Sequence, residues 1–281
     1  MNFNKMGLAA ILGGEASIKR LDHEARADAL EDHMSKELDA AVTVRRNKGD
    51  YTVSELEAIV DKRGYRRGVG KLMVHEFDMR NPDPNGTGSK VSRLVPMPAK
   101  PTLVDFFRRR FDPAAHLLQS ARLAMKNGAS EEVVLACLLH DAGQYLMRAD
   151  HGYWGAQLIE PYVSERVAFA VKYHQALRFY PDPSVGYEYP EVYYGLFGVD
   201  YVPAPHIRAA YDYARNHKWY MDARLVTTND FYAFDPNVEI SVDEFTDIIG
   251  RHFKQPREGL GHDNTPASHM WRTIVNPDAP L

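Results

Sequence analysis

The sequence of 281 residues contains a single cysteine, Cys137, and this scarcity limits the chemistry open to the chain. One cysteine can form no intramolecular disulfide, and it cannot supply a thiolate cluster for a metal. Cys137 also lies inside an apolar run, where a small core residue is the expected role. Any metal site must therefore be built from histidine and carboxylate side chains.

Long apolar segments and blocks of like charge are also missing. The apolar stretch at residues 7–12 is too short for a membrane span or a signal peptide. The chain carries 34 basic and 38 acidic residues, a net charge of -4, with no long block of either sign. We therefore expect a cytoplasmic protein that binds neither nucleic acid nor membranes and acts on a small molecule.

Strand-like alternation of polar and apolar residues is scarce, so we expect an all-α protein. Proline and glycine concentrate in "NPDPNGTGSK" (81–90) and "LVPMPAKPT" (94–102), which breaks regular structure. A boundary is therefore placed near residue 100. We predict a mostly helical N-terminal extension of unknown role (1–100), a helical core (101–255) and a C-terminal tail that packs on the core (256–281).

Helix start and stop signals divide the rest of the chain. Ser130, Ser164 and Ser241 stand where helix caps are expected, and Pro161 halts or kinks a short helix. In the core, helices are predicted over residues 112–128, 130–143, 154–161, 164–177, 203–217, 218–234 and 241–253. In the extension, they are predicted over residues 15–40 and 52–63.

In the run "VVLACLLHDAGQ" (133–144), an apolar helical segment is followed directly by a histidine and an aspartate, His140 and Asp141. Burying an imidazole and a carboxylate without partners costs several kcal/mol or more, so such groups are normally paired or bind a metal. A metal dication would compensate the carboxylate and accept the imidazole nitrogen. This pair is therefore the starting point of a candidate metal site.

Further histidines and acids could complete such a site. His174 shares the apolar face of its helix with Val167, Ala170 and Val171. The additional candidates are His116, His151 and, as the last acid, either Asp222 or Asp230. This many ligands exceeds the needs of one ion and suggests two metals bridged by a carboxylate. Imidazole and oxygen ligands suit iron or manganese, with zinc less favoured, although ligand type alone does not fix the metal.

The ordered set His116, His140-Asp141, His151, His174 and Asp230 resembles the HD-domain superfamily in its binuclear form. The segments "HLLQSARLAMKNGASEEVVLACLLHDAGQY", "HGYWGAQLI" and "KYHQALRFY" resemble the HD-domain mixed-valent diiron oxygenases, a group that includes 2-amino-1-hydroxyethylphosphonate dioxygenase and, more distantly, myo-inositol oxygenase. The resemblance covers roughly residues 112–255. It implies an HD-domain helical bundle.

The resemblance also implies a role for each ligand. His116, His140, Asp141 and Asp230 would hold one iron, and Asp141, His151 and His174 the other, with Asp141 as the bridge. Asp230 is preferred to Asp222 because its distance from His174 is closer to that of the group. The implied cofactor is a pair of iron ions (Fe2+/Fe3+), and the alternatives are manganese, zinc or magnesium.

Two residues are candidates for substrate binding. Arg178 follows His174 by one helical turn, so both project from one face if the helix continues, and a guanidinium suits a carboxylate or phosphonate. Gln144 stands where the phosphonate enzyme has a histidine, so the resemblance does not fix the identity of the substrate. Phe106 and Arg109 replace a tyrosine and a glutamate that members of the group can bring to the iron.

The aromatic segment "YPDPSVGYEYPEVYYGLFG" (180–198) is predicted to be a long loop because of its proline and glycine content. Its tyrosines at 187, 189, 193 and 194 could line a pocket or receive a cationic group. The alternative is that they serve packing or contacts between two copies of the chain, and a homodimer is compatible with the sequence.

Three functions are compatible with these residues. The preferred one is a diiron oxygenase that uses O2 to oxidise, or to cleave a C–C or C–P bond in, a small hydroxylated anionic substrate. The alternative is a metal-dependent phosphohydrolase of the HD type, in which the same ions activate water toward a phosphate ester or nucleotide. The third is a non-catalytic, metal-stabilised interaction protein whose N-terminal extension binds a partner.

Overall fold

A computed structural model describes residues 77–78, 93–94, 96–111, 113–144, 146–147 and 150–275. The helices predicted at 15–40 and 52–63, and most of the N-terminal extension, lie outside these residues. Within them, the two strands β1 (Phe77–Asp78) and β2 (Arg93–Leu94) form a short antiparallel ladder, with Phe77 opposite Leu94.

The other regular elements of the described residues are helical, and the predicted all-α class is confirmed. The α-helices are α1 (Leu103–Arg109), α2 (Ala114–Lys126), α3 (Glu131–Leu139), α4 (His151–Ile159), α5 (Glu165–Leu177), α6 (Glu191–Phe197), α7 (Pro205–Arg215), α8 (Tyr220–Phe231), α9 (Thr246–His252) and α10 (Ser268–Val275). Short 3-10 turns lie at Glu160–Tyr162, Pro183–Val185 and Val242–Phe245.

Helix α3 occupies the centre of the bundle. Every residue of the run 133–139 is buried, so the helix is apolar on all sides, as expected for a helix surrounded by others. It packs against α2, α5, α8 and α9. The two acids of its first turn, Glu131 and Glu132, suit the positive end of the helix dipole. This helix therefore delivers His140 and Asp141 to the interior.

Three predicted elements need correction. Helix α3 ends at Leu139, and residues 140–144 form turns. Helix α4 begins at His151, three residues earlier than predicted, directly after Asp150, which has a left-handed backbone conformation (φ 62°). The aromatic segment 180–198 is not a loop throughout, since it contains the 3-10 turn at Pro183–Val185 and helix α6.

The C-terminal helix α10 packs on the same core. The buried Trp271 ring contacts Phe106 of α1 edge to face, with a centroid distance of 4.7 Å, and its indole N–H donates to the carbonyl of Leu158 (2.9 Å). Aromatic pairs in this geometry add to the stability gained from burial alone. The predicted boundaries near residues 100 and 255 stay predictions.

None of the helices among the described residues has both the length and the apolarity needed to cross a membrane.

Candidate metal centre

His116 and His140 face each other from α2 and the end of α3. Each ring donates its Nδ1–H to a backbone carbonyl, His116 to Ala233 (3.2 Å) and His140 to Cys137 (2.8 Å). A carbonyl oxygen can only accept, so the Nε2 atom of each neutral ring carries a lone pair. The two Nε2 atoms are 3.1 Å apart, and two lone pairs at this distance repel each other unless a proton or a cation lies between them.

Two buried carboxylates complete this cluster. Asp230 of α8 brings Oδ1 to 3.0 Å from His116 Nε2 and 3.4 Å from His140 Nε2. Asp141 lies 3.7 Å from His116 Nε2 through Oδ2 and 3.6 Å from His140 Nε2 through Oδ1. We call these four residues the first ligand group; all are buried, and their ligand atoms lie within 4.8 Å of one another.

A second ligand group shares Asp141 and adds His151 and His174. Asp141 Oδ1 is 3.2 Å from His151 Nε2 and 3.6 Å from His174 Nε2. The His174 ring donates Nδ1–H to the carbonyl of Val171 (2.6 Å), so its Nε2 also carries the lone pair. The three ligand atoms again lie within 4.8 Å of one another. Asp141 therefore stands between two clusters of imidazole nitrogens.

The donor set fits metal ions. Imidazole and carboxylate ligands bind such ions at about 2.0–2.2 Å, so neighbouring ligand atoms on one ion lie about 3 Å apart or slightly more. The distances from the carboxylate oxygens to the Nε2 atoms are in that range. Among the residues that the structure describes, Asp141 Oδ1 and His174 Nε2 have no hydrogen-bond partner. Since buried polar atoms are normally satisfied, these atoms suit an additional partner such as a cation.

Burial and opposite charge compete at the centre. Burial disfavours the charged form of every group, but the carboxylates of Asp141 and Asp230 outweigh it at His140 and raise its pKa to about 9. At Asp141 and Asp230, burial is likewise outweighed by the imidazoles, which hold both carboxyl pKa values below their usual range. Burial prevails at His174 and lowers its pKa. The carboxylates thus stay ionised, as metal ligands must be.

Surrounding side chains orient the ligands of the first group. Phe234 stacks on the His116 ring at 4.2 Å. The Gln119 amide exchanges two hydrogen bonds of 2.9 Å with the backbone of Asp235, which holds the segment that carries the carbonyl bonded to His116. Such supporting contacts fix ring orientation and ligand basicity.

The second group is oriented by contacts between α4, α5 and α8. Thr227 donates its hydroxyl to the carbonyl of His174 (2.8 Å), and the Gln175 amide accepts from the backbone N–H of Gly152 (3.1 Å). Gly152 itself allows α4 to approach α5, because a Cβ there would lie 3.0 Å from the carbonyl oxygen of Val171 and 3.3 Å from the His174 ring. These supporting residues were not found by sequence reasoning.

Asp222, the alternative acid, is bound elsewhere. Its carboxylate accepts two hydrogen bonds from Arg166 at 2.8 and 2.6 Å, on another side of α8. The structure thus brings Asp230, and not Asp222, to the first ligand group. Register on the helix does not separate the two acids in the sequence, since Val226 lies four residues from each of them.

Both predicted substrate-binding residues are buried. Gln144 is fully buried in the turn after Asp141, and among the described residues neither atom of its amide has a hydrogen-bond partner. Arg178 is buried one turn after His174, with its guanidinium 5.0 Å from the centre of the Phe179 ring. That these two residues bind substrate stays a prediction.

Phe106 and Arg109, the two positions where the sequence departs from the group it resembles, make contacts within the fold. Phe106 lies in the apolar core against Trp271, and Arg109 donates to the carbonyl of Pro96. Among the aromatic residues of 180–198, Tyr193 is buried against Phe179 and Phe197. Packing is therefore one role of this segment.

Comparison with known proteins finds two matches. Residues 114–191 match the family model of the HD domain, which confirms the resemblance that the sequence indicated. A segment is 32% identical over 78 residues to [1-hydroxy-2-(trimethylamino)ethyl]phosphonate dioxygenase (glycine-betaine-forming) of Leisingera caerulea. This match covers 24% of the present chain and 40% of the relative, so the chain spans about two fifths of the length of that protein.

The match and the geometry support a metal-dependent function of the HD kind. The HD domain region contains His116, His140, Asp141, His151 and His174, and Asp230 lies beyond it on α8. A buried cluster of histidine and aspartate that could hold metal ions, inside such a domain, points to an enzyme.

Proposed function

We propose that the protein is an oxygenase that uses two iron ions and O2 to oxidise, or to cleave a C–C or C–P bond in, a small hydroxylated anionic substrate. The observation that carries the proposal is the position of Asp141, whose carboxylate is shared by two ligand groups. Two ions with a common carboxylate suit a redox pair, and the similarity to a phosphonate dioxygenase supports oxygen chemistry.

His116, His140, Asp141 and Asp230 would hold one ion, and Asp141, His151 and His174 the other. When bound, the ions would supply Lewis acidity toward the substrate and electrons for the reduction of O2. The second ligand group offers three residues against four in the first, so it leaves more room for substrate and oxygen. The backbone carbonyls at Cys137, Val171 and Ala233 each accept from an imidazole Nδ1–H, so the three Nε2 atoms are the ones turned toward the ions.

Arg178 and Gln144 would bind the substrate. A guanidinium offers forked donors to a carboxylate or phosphonate. The Gln144 amide can donate to an oxygen and accept from a hydroxyl, and leaving it unsatisfied in a buried place costs about 1–3 kcal/mol. The anionic group of a small ligand could accept from Arg178, and its hydroxyl could bond to the Gln144 amide. Binding of nucleic acid or of a membrane is not part of the proposal.

Anaerobic purification, followed by metal analysis and EPR, tests the proposal. We expect two irons per chain and the signal of a coupled Fe(II)/Fe(III) pair. Adding [1-hydroxy-2-(trimethylamino)ethyl]phosphonate or small hydroxy acids should perturb that signal for at least one compound, and admitting O2 should then start oxygen uptake.

The alternative function gives a different result in the same preparation. Zinc, manganese or magnesium in place of iron, with phosphate released from a phosphate ester in the absence of O2, would establish a phosphohydrolase and reject the oxygenase. The Asp222→Asn variant is the matched control for the metal analysis, because it alters a buried carboxylate of α8 outside both ligand groups.

A further inference from the structure

The C-terminal end of α5 is held by side chains from α8 and from the segment that follows α5. The last carbonyls of a helix have no partner within it and are commonly satisfied by water or by a following glycine. Here the carbonyl of Leu177 accepts from Arg224 Nη1 (2.9 Å), and the carbonyl of Arg178 accepts from the Tyr187 hydroxyl (2.7 Å). Both donors are buried, so this helix end is fixed from inside the protein.

Arg224 is the centre of this arrangement. Its side chain is fully buried, its Nε–H donates to the Tyr220 hydroxyl (3.1 Å), and its guanidinium lies 5.2 Å from the centre of the Tyr187 ring. Tyr220 in turn donates to Asp182 Oδ2 (2.6 Å), which lies 3.7 Å from Arg224 Nε. Arg224 therefore connects α8 to the end of α5 and to the turn that follows it.

The turn at residues 182–187 is closed against this arginine. The backbones of Asp182 and Tyr187 exchange two hydrogen bonds of 2.8 and 3.1 Å, and the Asp182 carboxylate accepts from the backbone and hydroxyl of Ser184. Tyr187 is thereby placed with its ring beside Arg224 and its hydroxyl on the carbonyl of Arg178. The arrangement thus binds the two backbone carbonyls next to the Arg178 side chain, those of residues 177 and 178.

Stability alone is a weak reason for a buried arginine at this place. Removing a guanidinium from water is unfavourable by several kcal/mol, and apolar residues of similar volume often serve stability equally well or better. A charged, forked donor instead fixes a helix end in one position. The group that this helix end carries is Arg178, one turn after His174.

We propose that Arg224 is a positioning residue that fixes the Arg178 guanidinium, one helical turn after His174, for binding the anionic group of the substrate. This inference rests on the proposed function for the role of Arg178. Arg224 acts through backbone atoms and through Tyr187, and it need not touch the substrate.

A double-mutant cycle measures whether Arg224 acts through Arg178. The variants are Arg178→Ala, Arg224→Met and the double variant, each loaded with metal and titrated without O2 by calorimetry with methylphosphonate. We expect Arg178→Ala to weaken binding about tenfold, which corresponds to ~1.4 kcal/mol. Arg224→Met should weaken it by a similar factor with its metal content unchanged, and the double variant should be no weaker than Arg178→Ala alone.

Further variants separate positioning from folding. Arg224→Lys should recover part of the affinity, because an ammonium can still donate to one carbonyl. Tyr187→Phe removes only the hydroxyl that donates to the Arg178 carbonyl, and it should weaken binding in the wild-type background but not beside Arg178→Ala. Arg251→Met, which alters an exposed arginine on α9, is the control and should leave the affinity unchanged. If Arg224→Met does not fold, Arg224→Lys carries the test: it should bind more weakly than wild type, and wild-type affinity would overturn the inference.

Three results would overturn the inference: wild-type affinity in a folded Arg224→Met variant, fully additive losses in the Arg178→Ala/Arg224→Met double variant, or no effect of Arg178→Ala. The titration uses no oxygen, so it is independent of the proposed oxygenase activity. A preparation that lacks iron and consumes no O2 rejects the oxygenase, and the cycle can still be measured with the metal that is bound.

Discussion

The two ligand groups share Asp141 but differ in how many residues surround each. The first contains a second carboxylate, Asp230, and one of its imidazoles is stacked on Phe234. The second has only His151 and His174 besides the shared aspartate, and one of these is the first residue of α4. If both groups hold ions, we expect the first to retain its ion more tightly and the second to exchange ligands, with substrate and oxygen binding there.

The largest effect is expected from Asp141→Asn, because it removes the charge that both groups share. An amide is neutral and cannot bridge two ions as a carboxylate does, so both metals should be lost and activity should fall more than about 100-fold. Metal analysis after gel filtration and an activity assay check this. Retention of one tightly bound metal would show that the two groups do not depend on a common ligand.

Removing a ligand that belongs to only one group should release one metal and leave the other bound. His174→Ala should lose the second metal and most activity while circular dichroism shows that the helical fold is kept. Asp230→Asn should lose the first metal instead. Asp222→Asn, on the same helix and bound to Arg166, should retain both metals. Loss of metal from Asp222→Asn with none from Asp230→Asn would reverse the assignment.

A smaller effect, confined to the second group, is expected from Gly152→Ala. The added Cβ would lie 3.0–3.3 Å from the backbone of Val171 and Lys172 and from the His174 ring, so α4 must shift from α5. We expect about tenfold weaker binding of the second metal, which is within the usual loss of metal affinity when a residue that supports a ligand is changed. The control is Gly250→Ala in α9, where the Cβ meets open space and should be neutral or slightly stabilising. Equal metal affinity in the two variants would contradict the expectation.

The smallest effect is expected far from the centre, at Glu131. Its carboxylate accepts from Arg251 and His252, and these hydrogen bonds lower its pKa from 4.5 to about 2. Because the folded-state pKa is depressed, this contribution to stability is complete above pH 4.5 and disappears as the pH falls toward 2. Glu131→Gln should therefore lower the free energy of unfolding at neutral pH, and the difference from wild type should shrink over that interval.

Denaturant unfolding at several pH values measures this difference. Glu258→Gln, a change at an exposed glutamate of the C-terminal segment, is measured beside it as the control for replacing a glutamate. A difference for Glu131→Gln that is constant with pH would mean that its charge is not what the arginine and histidine recognise.

Local sequence signals predicted where the helices lie better than they predicted which helices pack against each other. Serine caps and the run 133–139 indicated α3 and α5, and the helical spacing of apolar residues indicated that His174 points inward. Helix α6 was missed although Pro190 precedes it and Gly198 (φ 87°) ends it, because the high proline content of the whole segment favoured a loop.

For the candidate site, the family resemblance implied the same six residues that the structure brings together, while the residues alone left Asp222 and Asp230 open; their binding of metal stays a prediction. The supporting residues could not be found this way. Thr227, Phe234 and Arg224 contact residues far away in sequence, and those contacts exist only once α8 packs against α5 and α2. Such long-range pairs leave no periodic trace in a single sequence.

The wide spacing of the ligands along the chain has a consequence for folding. His116, His140, His151, His174 and Asp230 lie on or beside five helices, from α2 to α8, and their atoms meet only in the folded chain. Ions held there would act as a cross-link that closes long loops, and binding energy available only to the folded state adds to its stability. Withdrawing metal would thus loosen the bundle as a whole, and the melting temperature would follow metal concentration.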